Sequence, residues 1–142
     1  MEEIKRFFAD NDRFARHCGI ELLEAETGRA RVAMEIEPHH LNGAHTVHGG
    51  AIFTLADFAF AVASNSHGTL AMGINTSVAF VKAPTQGRLY AEARELARNP
   101  RLGTYLVQVT DDQGDLIASF QGTVYRKKQP LFPPADGPAV NH

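Results

Sequence analysis

Cysteine is nearly missing from this 142-residue chain. Only Cys18 is present, so no internal disulfide can form, and a reducing cytoplasm is the expected compartment. The opening residues, Met1-Glu2-Glu3-Ile4-Lys5-Arg6, are acidic first and hold no signal-peptide apolar region. No stretch reaches the roughly eighteen consecutive apolar residues that a membrane span needs. A positive excess is also lacking: the formal net charge is −2, which argues against a general nucleic-acid surface. Neither a Gly-x-Ser-x-Gly elbow nor a phosphate-loop pattern occurs, which sets aside classical serine hydrolases and nucleoside-triphosphate enzymes. What remains is a soluble single domain, long enough to bury about two-thirds of its unfolded surface without staples.

Charge itself is scarce in the middle of the chain. Between Pro38 and Val81 the only charged side chain is Asp57. It interrupts the run Ala51-Ile52-Phe53-Thr54-Leu55-Ala56-Asp57-Phe58-Ala59-Phe60-Ala61-Val62-Ala63, which His48-Gly49-Gly50 precedes. A helix apolar on all sides is a core helix. An isolated carboxylate there loses solvation, so it must be paired, hydrogen-bonded or neutralised. That makes Asp57 a candidate functional group.

Around this helix the pattern is mostly that of strands. Ile4, Phe7 and Phe8 fall at helical spacing, and Asp10-Asn11-Asp12 ends that short helix. Phe14 to Cys18 gives another helical turn, stopped by Gly19. Ala30, Val32, Met34 and Ile36 then alternate with polar residues after the turn Thr27-Gly28, as in a half-buried strand. Further strands are expected at Ile74 to Val81, Leu89 to Arg98, Thr104 to Thr110 and Leu116 to Tyr125. This divides the chain into a helical segment 1–17, a main domain 18–127 and a Pro-rich tail 128–142. Antiparallel strands plus one buried helix predict an α+β fold in which a sheet curls around the helix. One sheet covers one side of such a helix, so a second subunit is expected on the other.

The start of the helix offers hydrogen-bond donors. Gly49 and Gly50 leave backbone N–H groups approachable, and the helix dipole adds partial positive charge. Such a place can hold a carbonyl oxygen as it becomes negative. His48 and Asn42 lie just before it. Eight residues separate Gly49 from Asp57, about 12 Å along a helix. An oxyanion donor and a base acting on one carbonyl must each lie within roughly 3 Å of their reacting atoms. One helix cannot supply both to one substrate; two antiparallel helices across a two-fold axis can.

The run from Asn42 to Asp57, Asn-Gly-Ala-His-Thr-Val-His-Gly-Gly-Ala-Ile-Phe-Thr-Leu-Ala-Asp, resembles the hotdog-fold acyl-CoA thioesterases of the phenylacetic acid degradation protein (PaaI) type. The likeness continues through Phe58 to Gly68 and in the last strand, Ile117 to Arg126, and covers roughly residues 18–127. It implies a hotdog sheet wrapped round the helix, a homodimer often paired into a homotetramer, and cofactor-free hydrolysis of acyl-CoA. By position, Asp57 is then base or nucleophile, and the Gly49 amide, helped by Gly50, polarises the thioester carbonyl. His48 and Asn42 orient thioester and water. Some members carry a water-holding hydroxyl just after the acid, where this chain has Phe58, so Asn75 or Thr76 is the expected substitute. On helix spacing, Phe53 and Phe60 share the face of Asp57 and are expected nearer the acyl group than Phe58. The resemblance suggests a phenylacetyl-like or medium-chain acyl group.

Lys82, Arg94, Arg98 and Arg101 suit the phosphates of coenzyme A, although an exposed strand face also carries arginines. His39, His40, His45 and His48 lack a cysteine or acidic partner at ligand spacing, so no metal site is expected. Two rival readings stand beside hydrolysis. A hotdog hydratase or dehydratase would want a histidine paired with Asp57, and His67 lies near the helix end. A non-catalytic acyl-CoA sensor would normally carry a DNA-binding segment, and the first forty residues hold no basic recognition helix.

Overall fold

The computed structural model describes residues 1–132. Two short helices come first, α1 (Glu2–Asn11) and α2 (Arg13–His17), followed by β1 (Ile20–Glu26) and β2 (Arg29–Glu35). A 3-10 turn (Pro38–His40) and a loop lead into the long helix α3 (Gly49–Asn65). Four strands complete the chain: β3 (Thr69–Phe80), β4 (Arg88–Arg98), β5 (Leu102–Thr110) and β6 (Leu116–Pro130). They form one antiparallel six-stranded sheet in the order β1-β2-β4-β5-β6-β3.

Alternation decides which sheet face is buried. Ala30, Val32 and Met34, then Leu89, Ala91 and Ala93, then Tyr105, Val107 and Val109 point inward and are essentially inaccessible. They meet Ile52, Leu55, Ala56, Ala59, Val62 and Ala63 of α3 in a single core. Small residues on both partners let the helix sit close to the sheet. Each large apolar side chain buried this way contributes about 1.5–3 kcal/mol. Bulges in β1, β3, β4 and β6 bend the sheet so that it curls around α3. The curled α+β arrangement expected from the sequence is therefore the one observed.

The helix is not covered all round. Ala51, Thr54, Asp57 and Ala61 are only half-buried and Gly50 is exposed, forming one open stripe along α3. The tight β1–β2 turn explains how the sheet is pinned to the other end of the helix. Gly28, at φ +76°, turns the chain where only glycine is at ease, and its N–H donates to Ser66 Oγ at 2.7 Å.

Two boundaries differ from the sequence reading. The strand β1 is additional, and β6 runs past residue 127 as far as Pro130, where it still pairs with Thr69 of β3. Leu131 and Phe132 pack on the core, Phe132 edge-on against Phe7 of α1. The remainder of the expected tail lies outside the described residues. The segment 1–17 is docked: Ile4 and Phe8 are buried, and Phe8 meets Phe58 of α3 edge-on.

Candidate active site

The loop before α3 is built around two side chains. Asn42 Oδ1 accepts from the amides of Ala44 (2.9 Å) and Thr46 (3.2 Å), and its Nδ2 donates to Thr46 Oγ1 (3.0 Å). These bonds close a turn in which His45 adopts φ +64°. Asn42 therefore spends its carboxamide oxygen on shaping the loop that presents His48 and keeps one Nδ2 hydrogen for anything else. His40, buried, accepts the Glu37 amide at Nδ1 and donates from Nε2 to the Cys18 carbonyl. Its backbone carbonyl in turn receives the His48 N–H at 2.7 Å.

His48 caps α3. Its Nδ1 accepts the Gly50 amide hydrogen at 2.8 Å, so Gly50 is committed to the cap and its N–H is not free for a substrate oxygen. This corrects the expectation that Gly50 assists directly. The Gly49 N–H meets no acceptor among the described residues. A Cβ at Gly49 would come within 3.2 Å of the Phe80 ring tip, so an aromatic ring bounds the Cα side of this residue.

Asp57 lies two turns on, in the open stripe. Burial, with a smaller contribution from the nearby negative charge of Asp12, pushes its carboxyl above the ordinary carboxylate range. Neither cause is a hydrogen bond, so nothing local holds the acid ionised. A carboxylate held in this way is a stronger base than a solvated one.

The aromatic expectations divide. Phe60 is 2% exposed and packs on Tyr105 and Phe120 beneath Gly73 and Gly122, so it belongs to the core. Phe53 is half-buried against Phe120. Phe58, expected farther away, instead faces the N-terminal helices and lines a cleft there. Asn75 and Thr76 are exposed on β3, opposite Thr123 and Gly122 of β6.

The four basic residues do not form one patch. Lys82 ion-pairs with Asp111 (3.2 Å) and Asp115 (3.1 Å) at the end of the sheet near the start of α3. Arg98 contacts His67 at the far end, near exposed Arg101, and Arg94 lines a groove with Arg31 and Tyr90 on the outer sheet face. Sequence reasoning also missed Asp12. It sits between two helices as the cap of α2, accepting the Ala15 amide, and a capping residue eleven positions from the chain start carries no signal of a distant acid. Among the described residues no group of three or more His, Cys, Asp or Glu is placed to hold a metal.

A curled antiparallel sheet around one long helix is the hotdog fold, and the similarities that follow make the chain a thioester hydrolase. The model of the thioesterase superfamily matches residues 44–118. The acyl-coenzyme A thioesterase PaaI of Escherichia coli is 33% identical over 118 residues, 82% of this chain and 84% of its own. The structure of the E. coli PaaI protein superposes with a TM-score of 0.88 at 29% identity, covering 91% of this chain and 94% of that one. The phenylacetic acid degradation protein PaaI of Thermus thermophilus, in a mutant form, gives 0.77 at 36% identity over 80% and 98%. The chain belongs to the thioesterase superfamily, among its PaaI-type hotdog enzymes.

Proposed function

We propose that the protein hydrolyses aryl (phenylacetyl-like) or medium-chain acyl-CoA at a site shared by two copies of the chain. The observation that carries this reading is the pairing, on one helix, of an unpartnered Gly49 N–H with a desolvated Asp57 on the uncovered stripe. The protein's relatives, which include an acyl-coenzyme A thioesterase and a phenylacetic acid degradation protein, support the substrate class.

The second copy has a place to bind. Strand β3 is an edge twelve residues long, with Met72 51%, Ile74 58% and Phe80 52% exposed. A long apolar edge of this kind is a liability unless something pairs with it. Two β3 strands pairing antiparallel would join the sheets and bring the two α3 helices side by side. Gly49 of one copy would then face Asp57 of the other, with Asn75 and Thr76 at the seam to hold water. Two such dimers form a tetramer, as in the resemblance. Asp57 would take the proton of the attacking water, or attack the carbonyl itself to give a mixed anhydride that water then cleaves to the free acid, restoring the carboxylate. The Gly49 amide receives the oxyanion, and the CoA thiolate leaves. No cofactor is required, and the lone Cys18 thiol suits a cytoplasmic setting.

Thiol release from a panel of acyl-CoAs tests the reading. Wild type turns over aryl or medium-chain thioesters with kcat/KM above acetyl-CoA, and Asp57→Ala loses about 10²–10⁴ in rate while keeping its fold. Wild-type activity in the folded variant removes Asp57 from the mechanism.

A further inference from the structure

The N-terminal helices do more than cover an end of the sheet. A cleft of about 370 Å³ opens between α1, α2, β1 and the Phe58 side of α3. Phe8, Ile20, Leu22 and Phe58 supply its apolar lining. Its size falls in the range of about 300–1,000 Å³ typical of small-ligand pockets, which are apolar with a few polar groups.

The charged groups on its rim are already engaged. Arg16 donates to the carbonyls of Ala9 (2.8 Å) and Asp10 (3.2 Å), clamping the end of α1. Glu21 pairs with Arg88 at 3.3 Å, and Asp12 caps α2 through the Ala15 amide at 3.1 Å. The cleft is therefore preformed, and these bonds turn the rim charges toward protein partners.

Its position ties it to the acid. Phe58 follows Asp57 in the chain and lies about 100° round the helix. Asp12, in the cleft wall, is close enough to act on the Asp57 carboxyl. A thioester whose carbonyl is presented to Asp57 thus has an apolar recess beside it.

We propose that this cleft receives the distal part of the acyl group, an aryl ring or medium alkyl chain, and that α1, α2 and Phe58 set acyl specificity. The proposal rests on the thioesterase reading above. It also replaces Phe60, which lies in the core, with Phe58 as the aromatic wall of the acyl site.

Two variants test it from opposite directions. Ala9 is exposed on α1 and lines the cleft, so Ala9→Phe narrows it without touching the core. Leu22→Ala widens it. Both are assayed on acetyl-, butyryl-, hexanoyl-, octanoyl- and phenylacetyl-CoA, and by calorimetry with the non-hydrolysable thioethers of acetyl- and phenylacetyl-CoA. The effect is read in the ratio between substrates: Ala9→Phe lowers phenylacetyl and octanoyl kcat/KM relative to acetyl by roughly 10-fold, and Leu22→Ala moves the optimum to longer chains. The thioether affinities follow the same ratios. Variants that fold, yet scale every substrate and both thioethers equally, overturn the proposal. A wild type that hydrolyses none of the series fails the thioesterase reading instead, and the thioether ratios then decide the cleft alone.

Discussion

His48 Nδ1 accepts the Gly50 amide hydrogen at 2.8 Å, which leaves Nε2 as the nitrogen that carries the proton in the neutral ring. One side chain thereby caps α3 and presents a fixed N–H donor beside the free Gly49 amide. His48→Asn retains a good capping group, so its melting temperature stays near wild type while kcat/KM falls roughly 10-fold or more from the lost donor. His48→Ala loses both, with about 0.5–2 kcal/mol less stability. Thermal melts beside steady-state kinetics separate the two effects.

The raised carboxyl of Asp57 has a signed pH dependence. Its favourable contribution to folding is fully present below the unfolded value of about 3.9 and is lost as pH rises through the higher folded value. Asp57→Asn is therefore more stable than wild type at pH 8, and the difference closes toward pH 3. As a base, Asp57 must be ionised, so the acid limb of kcat/KM lies above the ordinary carboxylate value. Asp12→Asn keeps the cap on α2 but removes the neighbouring charge, and the limb moves to lower pH. An unmoved limb excludes Asp12 as a contributor.

Mixing experiments address the shared site. Asp57→Ala and Gly49→Val are each expected to be inactive alone; the three atoms nearest a Cβ at 49 belong to the ring of exposed Phe80, which can yield, and a thermal melt checks that the second variant is folded. After subunit exchange, a mixed dimer has one site with both defects and one with neither, and activity returns. Confirmed exchange without recovered activity shows that each site is made within one chain.

Gly122 tests the packing under the sheet. A Cβ there would lie 2.7, 2.8 and 3.0 Å from ring atoms of Phe60, which is enclosed by the core. Gly122→Ala is destabilised by about 1–3 kcal/mol, read as a lower urea midpoint at unchanged slope. Phe60→Leu costs less in that background than in wild type, because the crowding ring is gone.

The buried helix, its start and the later strands were legible because their periods are clean. Strand β1 was not: Leu22 and Leu23 stand side by side, and the bulge between Leu22 and Glu24 breaks the alternation that would reveal a strand. The same reason hides the first residues of β3, which has two such irregularities. The final residues of β6 read as the start of a Pro-rich tail, yet the strand continues to Pro130, which pairs with Thr69 of β3. For the site, spacing placed Asp57 and Gly49 on one helix. It could not say which side of that helix the sheet would take, and so could not place Phe60 in the core. Nor does a sequence reveal that Lys82 is held by Asp111 and Asp115, since those partners lie about thirty residues away.

The span from Gly49 to Asp57 behaves as a ruler without an adjustable joint. It is uninterrupted α-helix, free of proline. Adding or removing one residue within it would swing the acid about 100° off the open stripe and shift it 1.5 Å along the axis, taking roughly 10²-fold or more from the reaction even if the core repacked. If Gly49 and Asp57 act as proposed, the number of residues between them is itself part of the chemistry.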